Sequence, residues 1–260
     1  MRDFFSSMRS VAHFSALCYT KAAMNTIIVI PTYNEAENIA ALLDAIFALS
    51  IANLSVMVVD DASPDGTANI VRSHPQATGL YLLERKGKLG IGSAYLAGFA
   101  EALKKKADYV FEMDADFSHN PKDILRMLAA AQEGADLVIG SRKIAGGNIV
   151  GWGVLRKFMS TGAMWFSRTL LGIKVKDVTS GFRCFTRRVL ETLPLTEIKS
   201  NGYAFQEELL YRTQLAGFTI KEIPVTFHDR KKGKSKLSKK DIIEFFWIML
   251  LLRFGKQRSS

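Results

Sequence analysis

Residues 109–116 read YVFEMDAD, an apolar run that leads directly into two carboxylates, Asp114 and Asp116. A short run of this aromatic and β-branched character is typical of a buried strand. Two carboxylates just past such a strand can hold one hard divalent cation through oxygen ligands. The cation can then bridge the phosphates of a nucleotide and neutralise a diphosphate leaving group. Since the same pair also occurs in ordinary solvated turns, the rest of the chain has to decide between the two interpretations.

Strand-like and helix-like segments alternate on both sides of this stretch. Further strands are predicted at residues 26–30, 55–59, 80–83 and 137–139, with helices between them. Asn34 and Glu37 have the spacing of a capping box, which predicts the start of the first helix. The alternation predicts an α/β fold with a mostly parallel central sheet and helices on both faces.

Three polar clusters follow predicted strands: residues 31–35 (PTYNE), residues 60–67 (DDASPDGT) and the pair around residue 115. Ligands of parallel sheets bind beyond the carboxyl ends of the strands, so the clusters together predict a binding site. The acidic pair Asp60 and Asp61 can accept hydrogen bonds from a ribose or a base. A tight turn, in which these polar residues only cap the next helix, is the alternative.

Residues 87–92 (GKLGIG) precede another predicted helix and contain Lys88. Glycines let a backbone approach a ligand, and a helix N-terminus attracts anions. The spacing matches neither a P-loop nor a dinucleotide-binding fingerprint, and a close-packed turn is the alternative interpretation.

The second half of the chain has a different pattern. A helix is predicted at residues 154–171, whose apolar positions suit either the core or a lipid surface. Another helix is predicted around residues 204–215; its Glu208 could lie near a second substrate or pair along the helix. A basic stretch at residues 229–240 precedes an apolar run, residues 245–252, that is too short to span a membrane but suits an interface.

The overall charge favours anionic partners. The chain has 35 Lys and Arg against 25 Asp and Glu, a formal charge of +10. Nucleotides, lipid phosphates and acidic membrane surfaces all fit this excess. The two cysteines, Cys18 and Cys184, form neither a disulfide framework nor a zinc pattern, and indicate a reducing compartment.

Several motifs occur in a fixed order along residues 26–240. They are PTYNE (31–35), DDASPDGT (60–67), GKLGIGSAY (87–95), DADFSH (114–119), GSR (140–142), SGFR (180–183) and DRKKGKSK (229–236). Together they resemble the family 2 glycosyltransferases, and specifically the dolichol-phosphate (polyprenol-phosphate) mannose synthases. The resemblance implies the GT-A fold, a Rossmann-like nucleotide-diphospho-sugar transferase fold with amphipathic interfacial C-terminal helices. A catalytic domain is therefore predicted at residues 25–240, followed by a membrane-interface segment at 241–260. Residues 1–24, which have scattered apolar residues but no clean apolar core, are predicted to be a disordered extension, with an amphipathic membrane-binding arm as the alternative.

The resemblance assigns the donor site residue by residue. The residues that would contact the nucleotide or its phosphates are Pro31, Tyr33, Glu35, Asp60, Lys88, Asp114, Ala115, Asp116, Arg230 and Lys236. Asp114 and Asp116 would hold Mg²⁺ or Mn²⁺ against the donor diphosphate. Ser118 stands where some relatives supply a third metal ligand, and its role as a ligand is left open.

The catalytic residues that the resemblance implies are Asp116, Arg142, Arg156 and Ser160, the last three facing an acceptor phosphate. A lipid monophosphate is largely ionised at neutral pH, so it needs positioning by guanidinium groups and no general base. The implied reaction transfers mannose from GDP-mannose to a polyprenyl (dolichyl) monophosphate with inversion, giving a β-mannoside.

Two alternatives to this reaction remain. One keeps the fold and uses UDP-glucose as donor; the other is a non-catalytic, basic nucleotide- or RNA-binding protein, although no nucleic-acid-binding module supports it. The implied location is peripheral, on the cytoplasmic face of a membrane, with a separate membrane-anchoring partner as an open question.

Overall fold

The computed structural model describes residues 24–198, 200, 202–229 and 239–255. The predicted N-terminal extension therefore lies outside the described residues, apart from Met24, and so do Arg230 and Lys236. Within the described residues, the strands are β1 (Thr26–Thr32), β2 (Leu54–Asp60), β3 (Leu80–Glu84), β4 (Tyr109–Glu112), β5 (Leu137–Ser141), β6 (Asn148–Val150), β7 (Arg183–Thr186), β8 (Ile220–Pro224) and β9 (Thr226–His228). The α-helices are α1 (Ile39–Phe47), α2 (Thr67–Arg72), α3 (Ile91–Lys104), α4 (Asp123–Gln132), α5 (Val154–Leu171), α6 (Arg187–Thr192), α7 (Tyr203–Leu215) and α8 (Lys239–Phe254).

Seven strands form one sheet in the order β3-β2-β1-β4-β7-β5-β8. All neighbouring pairs are parallel except those of β7, which runs antiparallel between β4 and β5. Strands β6 and β9 form a separate, parallel two-stranded ribbon. The predicted α/β architecture with a mostly parallel sheet is therefore confirmed.

The side chains of β1 show how the core divides into two layers. Ile27 and Val29 point to one face of the sheet, where they meet α3 and the helices α5 to α8. Ile28 and Ile30 point to the other face, which α1, α2 and α4 cover. Successive residues of a strand face opposite sides, so a strand buried on both faces has to be apolar throughout, as residues 27–30 are.

The first loop differs from the sequence prediction. Helix α1 begins at Ile39 after Asn38, and no side chain caps it. Asn34 instead adopts a left-handed conformation with φ of 62°. The capping-box prediction for Asn34 and Glu37 is wrong, because the chain first makes an extra turn beyond the end of β1.

Helix α8 joins the main core. It packs against α5 and α7, and its Phe245 and Met249 are buried among the residues that cover one face of the sheet. The helix begins two residues before the predicted segment boundary at residue 241. Within the described part of the chain, no helix is both long and apolar enough to cross a membrane.

Candidate active site

Three loops at the carboxyl edge of the sheet follow β1, β2 and β4. Each contains a non-glycine residue with positive φ: Asn34 at 62°, Ala62 at 55° and Phe117 at 58°. Left-handed backbone is unfavourable for such residues and is concentrated at binding sites, where the surrounding structure maintains it. The loops therefore have an imposed shape that neighbouring contacts must stabilise.

The loop after β2 holds the loop after β1 in place. Backbone N–H groups of residues 34, 35 and 36 donate to the side chains of Ser63, Thr67 and Asp65, each at 3.0 Å. Asp65 also accepts from the hydroxyl of Thr67 at 2.6 Å. Burial acts to raise the pKa of Asp65, but these hydrogen bonds lower it below its usual value. The polar residues of DDASPDGT are thus spaced so that they hold the loop after β1 by hydrogen bonds to its backbone.

Asp60 lies at the base of the same loop and is buried. Its carboxylate accepts hydrogen bonds from the Thr32 hydroxyl at 2.8 Å and from the Ser63 backbone and hydroxyl at 2.8 and 2.6 Å. These contacts connect β1, β2 and the following turn. The predicted contact of Asp60 with a ribose or a base stays a prediction.

The glycine-bearing loop is tied to the same edge through Asp61. Its carboxylate accepts from the Leu89 backbone at 2.9 Å and forms a buried ion pair with Arg85. Lys88 reaches across the site, where its ammonium lies 4.2 Å from the centre of the Tyr33 ring. The structure therefore brings together Tyr33 and Lys88, two residues predicted to contact the donor.

The other predicted nucleotide-pocket residues lie close by. Pro31 is half-buried in β1, and Glu35 accepts from the Asn38 side-chain amide at 2.8 Å. Ala115 is buried, and its methyl group packs in the core. These positions line the beginning of the first loop and the end of β4, and the predicted donor contacts remain untested.

Asp114 and Asp116 follow β4 at the centre of this edge. Asp114 accepts from the buried Tyr95 hydroxyl at 3.2 Å, and Asp116 accepts from the Ser118 backbone at 3.0 Å. Burial, and next the charge of Asp114, raise the pKa of Tyr95 well above its usual value. The phenol therefore stays protonated and holds one oxygen of Asp114 in place.

The donor groups at this point fit a hard divalent cation. Asp114 and Asp116 are partly exposed and offer oxygen ligands, which Mg²⁺ and Mn²⁺ prefer. The hydroxyl of Ser118 is buried without a hydrogen-bond partner, so its role as a third ligand remains a prediction. Among the described residues, no group of three or more His, Cys, Asp or Glu side chains is arranged to hold a metal.

Arg142, which the resemblance assigns to the acceptor phosphate, is bound by protein groups in the structure, and its contact with a phosphate stays a prediction. It is buried, and its Nε and Nη2 donate to the two oxygens of Asp177 at 2.7 and 2.6 Å. Nη2 also donates to the Thr179 hydroxyl at 2.8 Å. Burial acts to raise the pKa of Asp177, but the hydrogen bonds and charge of Arg142 lower it. The guanidinium of Arg142 is thus largely occupied by protein groups.

Arg156, on α5, is more accessible. Its side chain is 39% exposed, and Nη1 donates to both oxygens of Asp229 at 2.9 and 3.0 Å. A carboxylate here occupies the kind of position that a phosphate group would take. Ser160 lies one turn further along α5 and is partly exposed.

Lys143 is a cation near this region that the sequence analysis did not single out. Its ammonium donates to the Thr161 hydroxyl on α5 at 3.3 Å. Burial lowers the pKa of Lys143, and the nearby charges of Arg142 and Lys157 lower it further, while Asp177 opposes them. Lys143 and Arg156 thus add positive charge around the first half of α5, where an anionic ligand would be attracted.

A buried charged cluster lies behind the site. The guanidinium of Arg183 is fully buried and donates to the carbonyl groups of Val178, Ser180 and Gln206. Glu112 and Glu207 lie close to it, and burial raises their pKa values to about 7 and about 8, with Arg183 acting in the opposite direction. Arg183 therefore connects the loop before β7 with α7 and holds both beside the carboxyl edge.

Glu208 is also buried, but it has local partners. It accepts from the Ser200 hydroxyl at 2.6 Å and pairs with Arg212 one turn along α7. Of the two alternatives for Glu208, the structure supports pairing along the helix.

The sequence prediction assigned no role to Trp152, Asp177 or Lys143, and it included Asp229 only as the first residue of the DRKKGKSK motif. The acidic partners of Arg142 and Arg156 are 35 and 73 residues away along the chain, so no local pattern indicates either pairing. The basic stretch and the aromatic residue beside the glycines at 151 and 153 were the available signals.

The comparisons with known proteins agree with this geometry. A sequence model described as glycosyl transferase family 2 matches residues 27–194. A polyprenol monophosphomannose synthase of Mycolicibacterium smegmatis is 39% identical over 226 residues, covering 86% of this chain and 85% of that protein. An undecaprenyl-phosphate mannosyltransferase of Micrococcus luteus is 40% identical over 216 residues, covering 83% and 88%.

Solved structures confirm the predicted GT-A fold. Glucosyl-3-phosphoglycerate synthase of Mycobacterium tuberculosis, in complex with phosphoglyceric acid, superposes with a TM-score of 0.66 at 22% identity, over 90% of this chain and 81% of that one. The same enzyme in complex with Mn²⁺, UDP-glucose and phosphoglyceric acid also superposes with a TM-score of 0.66, at 21% identity over 89% and 80%. At this identity the likeness concerns the fold alone.

Proposed function

Because the chain belongs to glycosyl transferase family 2, we propose that it transfers mannose from GDP-mannose to a polyprenyl monophosphate. Two relatives at 39% and 40% identity, matched over most of their length, are named as a polyprenol monophosphomannose synthase and an undecaprenyl-phosphate mannosyltransferase. Their names support both the sugar and the class of acceptor. The proposed product is a polyprenyl-phosphate β-mannoside, released together with GDP.

The observation that carries this proposal is the presence of two oppositely charged regions in one site. The carboxylates of Asp114 and Asp116 follow β4, and Arg156 and Lys143 provide positive charge near α5. The regions are joined by contact, since Asp114 lies 3.5 Å from His119 Nε2, and Phe227 of β9 contacts both the His119 ring and the Arg142 guanidinium. A carboxylate pair for a metal-bound diphosphate and cations for a second phosphate are what this reaction requires.

The mechanism follows from the chemistry of the acceptor. A phosphate oxygen, already ionised, attacks the anomeric carbon of mannose in line with the bond to the GDP oxygen. The new carbon–oxygen bond forms as the old one breaks, and GDP departs with the bonding electron pair, so no general base is needed. Arg156 would orient the phosphate through paired N–H donors, and Lys143 would add charge beside it.

The donor site would be shaped by the clamped loops. Tyr33 and Lys88 lie together where the nucleotide is expected, and the loop containing Glu35 is fixed by Ser63, Asp65 and Thr67. Mg²⁺ or Mn²⁺ held by Asp114 and Asp116 would neutralise charge on the leaving diphosphate. Arg230 and Lys236 would cover the phosphates, although both lie outside the described residues.

The acceptor's lipid chain would come from a membrane surface. Large apolar side chains on α5 and α8 are exposed, among them Leu155, Phe158, Trp165, Trp247 and Phe254. Aromatic and aliphatic side chains of this kind insert into the boundary between headgroups and acyl chains. The proposed location is therefore peripheral, on the cytoplasmic face, where GDP-mannose would be available.

UDP-glucose is the alternative donor. The solved neighbours include complexes with UDP-glucose, but at 21% identity they carry no argument about this chain's sugar. The relatives with higher identity are named for mannose, and they favour GDP-mannose. Thermal shifts with GDP and with UDP would separate the two donors.

The decisive experiment measures transfer of radiolabelled mannose from GDP-mannose to a polyprenyl phosphate that partitions into an organic phase. We expect transfer to require Mg²⁺ or Mn²⁺ and its rate to fall at least 100-fold in Asp116→Asn. Removing one group that stabilises charge in a transition state commonly costs a factor of about this size. Asp44→Asn, an exposed carboxylate on α1, is the matched control and should retain activity. Transfer from UDP-glucose but not from GDP-mannose would show that UDP-glucose is the donor. Transfer that survives Asp116→Asn would contradict the proposed site.

A further inference from the structure

Trp152 lies close to both arginines of the proposed acceptor site. The Cζ atom of Arg156 is 4.2 Å from the centre of its indole, and the Cζ atom of Arg142 is 5.7 Å away. Tryptophan provides the strongest cation–π surface among the side chains, and distances below about 6 Å bring a guanidinium within its attraction. One ring is thus within cation–π distance of both arginines that the resemblance assigns to the acceptor phosphate.

The indole itself has a fixed position. Its ring meets that of Phe227 edge to face, with centroids 5.7 Å apart and planes at 72°. Phe227 lies at the centre of β9, paired with Ile149 of β6, and the backbone of Asp229 donates to Val150 at 2.9 Å. The short ribbon therefore holds Trp152, which follows β6 by two residues.

The same rings extend to the carboxylate pair. Phe227 contacts the His119 ring at 5.6 Å between centroids, and His119 stacks on Phe182 at 4.8 Å. His119 Nε2 lies 3.5 Å from a carboxylate oxygen of Asp114. A continuous set of packed rings thus links Asp114 with Trp152 and its two arginines, and gives the two halves of the site a common rigid support.

The two arginines use the indole differently. The N–H groups of Arg142 bind Asp177 and Thr179, so its guanidinium is committed to the protein. Arg156 has a long side chain, 39% exposed, whose hydrogen bonds here go to Asp229. A guanidinium that lies over a ring uses its face for the ring and keeps its edge N–H groups for oxygen ligands. The indole therefore restrains Arg156 without competing with a phosphate.

We propose that Trp152 is a positioning residue for the acceptor: its indole holds Arg156 in the orientation in which the guanidinium N–H groups meet the acceptor phosphate. Arg142, paired with Asp177, packs beside the same indole and supports it. This inference rests on the proposed function, because it takes the acceptor phosphate as the ligand of Arg156. It adds a residue that contacts neither substrate and acts through Arg156.

The test compares Trp152→Leu, Trp152→Phe, Arg156→Ala and the double variant Trp152→Leu/Arg156→Ala. Activity is measured with a short polyprenyl phosphate in detergent, so that membrane binding does not enter. We expect Trp152→Leu to raise the KM for the acceptor about 3- to 30-fold, the range of a cation–π contact. The KM for GDP-mannose should change less than about twofold, and Trp152→Phe should restore part of the acceptor affinity because it keeps an aromatic face.

The double variant separates a positioning role from a structural one. If Trp152 acts through Arg156, the double variant should lose no more acceptor affinity than Arg156→Ala alone, since the coupled residues are not additive. Tyr81→Leu removes an exposed ring that holds Lys105 at 3.7 Å on the edge strand β3, and it should leave both KM values unchanged. Melting temperatures of all variants identify loss of fold.

Three outcomes would overturn the inference. They are an equal rise in both KM values, full additivity in the double variant, and an unchanged acceptor KM in the folded Trp152→Leu protein. Failure of the proposed function has a different signature: Arg156→Ala would then leave the acceptor KM unchanged, or no variant and not even the parent protein would transfer mannose.

Discussion

Single buried residues behind the site make the stability of the fold depend on pH. Glu207 is fully buried on α7, where burial raises its pKa to about 8 although the charge of Arg183 acts to lower it. Asp177 faces the same cluster and acts to raise it further. A carboxyl whose folded-state pKa exceeds its unfolded value stabilises the fold fully below about pH 4.5, and the contribution is lost as the pH rises through about 8.

We therefore expect Glu207→Gln to be more stable than the parent protein above pH 8, by roughly 1–3 kcal/mol, because a neutral amide costs less to bury there. Near pH 5 the difference should shrink or reverse. Urea unfolding at a series of pH values measures both. Glu133→Gln, an exposed residue paired with Lys221, is the control, and a parallel gain in that variant would contradict the assignment.

Lys143 makes a second prediction at this scale. Burial lowers its pKa, so its charge is lost at a lower pH than that of a solvated lysine. If it attracts the acceptor phosphate, the acceptor KM should rise as the pH increases into the alkaline range, and Lys143→Arg should flatten that rise. Lys143→Met should weaken acceptor binding about 3- to 10-fold at neutral pH, by loss of one partly buried charge.

A pH series of acceptor KM values measures the effect, with Lys122→Arg on the surface as control. An identical alkaline rise in the parent protein and in Lys143→Arg would show that another group titrates.

The pairings at this scale could not be predicted from the sequence, because Arg142 and Asp177 meet only through the fold. The motifs identified where the polar residues lie, and the structure identifies which of them bind each other.

The helices and strands themselves follow closely from local pattern. The helix at residues 154–171 was predicted with the bounds that α5 has, because its apolar spacing and flanking glycines are local signals. The antiparallel insertion of β7 was not predicted. Its four residues carry little periodicity, and their pairing with β4 and β5 is decided by partners that are distant in sequence.

The packing of α3 on the sheet depends on one glycine. A Cβ atom at Gly98 would lie 2.3 Å from a methyl group of Val29, which is buried in the central strand β1. Valine has few side-chain rotamers, so it cannot easily move aside. We expect Gly98→Ala to reduce the free energy of unfolding by about 1–3 kcal/mol, despite the better helix propensity of alanine.

Gly162 is the matched control, since it lies within α5 and a Cβ atom there would meet nothing within 4 Å. Gly162→Ala should therefore stabilise the protein by about 0.5–1 kcal/mol. Chemical denaturation of the two variants tests both signs. Equal effects of the two substitutions would mean that helix propensity, and not the contact of α3 with β1, decides the outcome.

At the scale of the whole molecule, an exposed apolar surface on α5 and α8 occurs together with a net positive charge. Helices α5 and α8 pack together on one face of the sheet and expose Phe158, Trp165 and Trp247, while their Met164 and Met249 are buried. An interfacial surface of this kind binds through buried apolar area and through attraction to anionic lipids. With a formal charge of +10, the chain should prefer anionic membranes, at roughly 1 kcal/mol per basic residue near the surface.

We expect the protein to bind vesicles of phosphatidylcholine and phosphatidylglycerol more tightly than vesicles of phosphatidylcholine alone. Added salt should reduce this preference for the anionic vesicles and leave binding to pure phosphatidylcholine unchanged. Phe158→Ser, which removes a 77% exposed ring, should reduce the partition coefficient about tenfold, as the transfer of one aromatic side chain predicts. Leu125→Ser is the control, because α4 covers the opposite face of the sheet and Leu125 is 47% exposed there. Vesicle sedimentation measures all three proteins. If Leu125→Ser weakens binding as much as Phe158→Ser does, the membrane meets the molecule through another surface, and the lipid chain of the acceptor would have to approach the arginines of α5 from a different side.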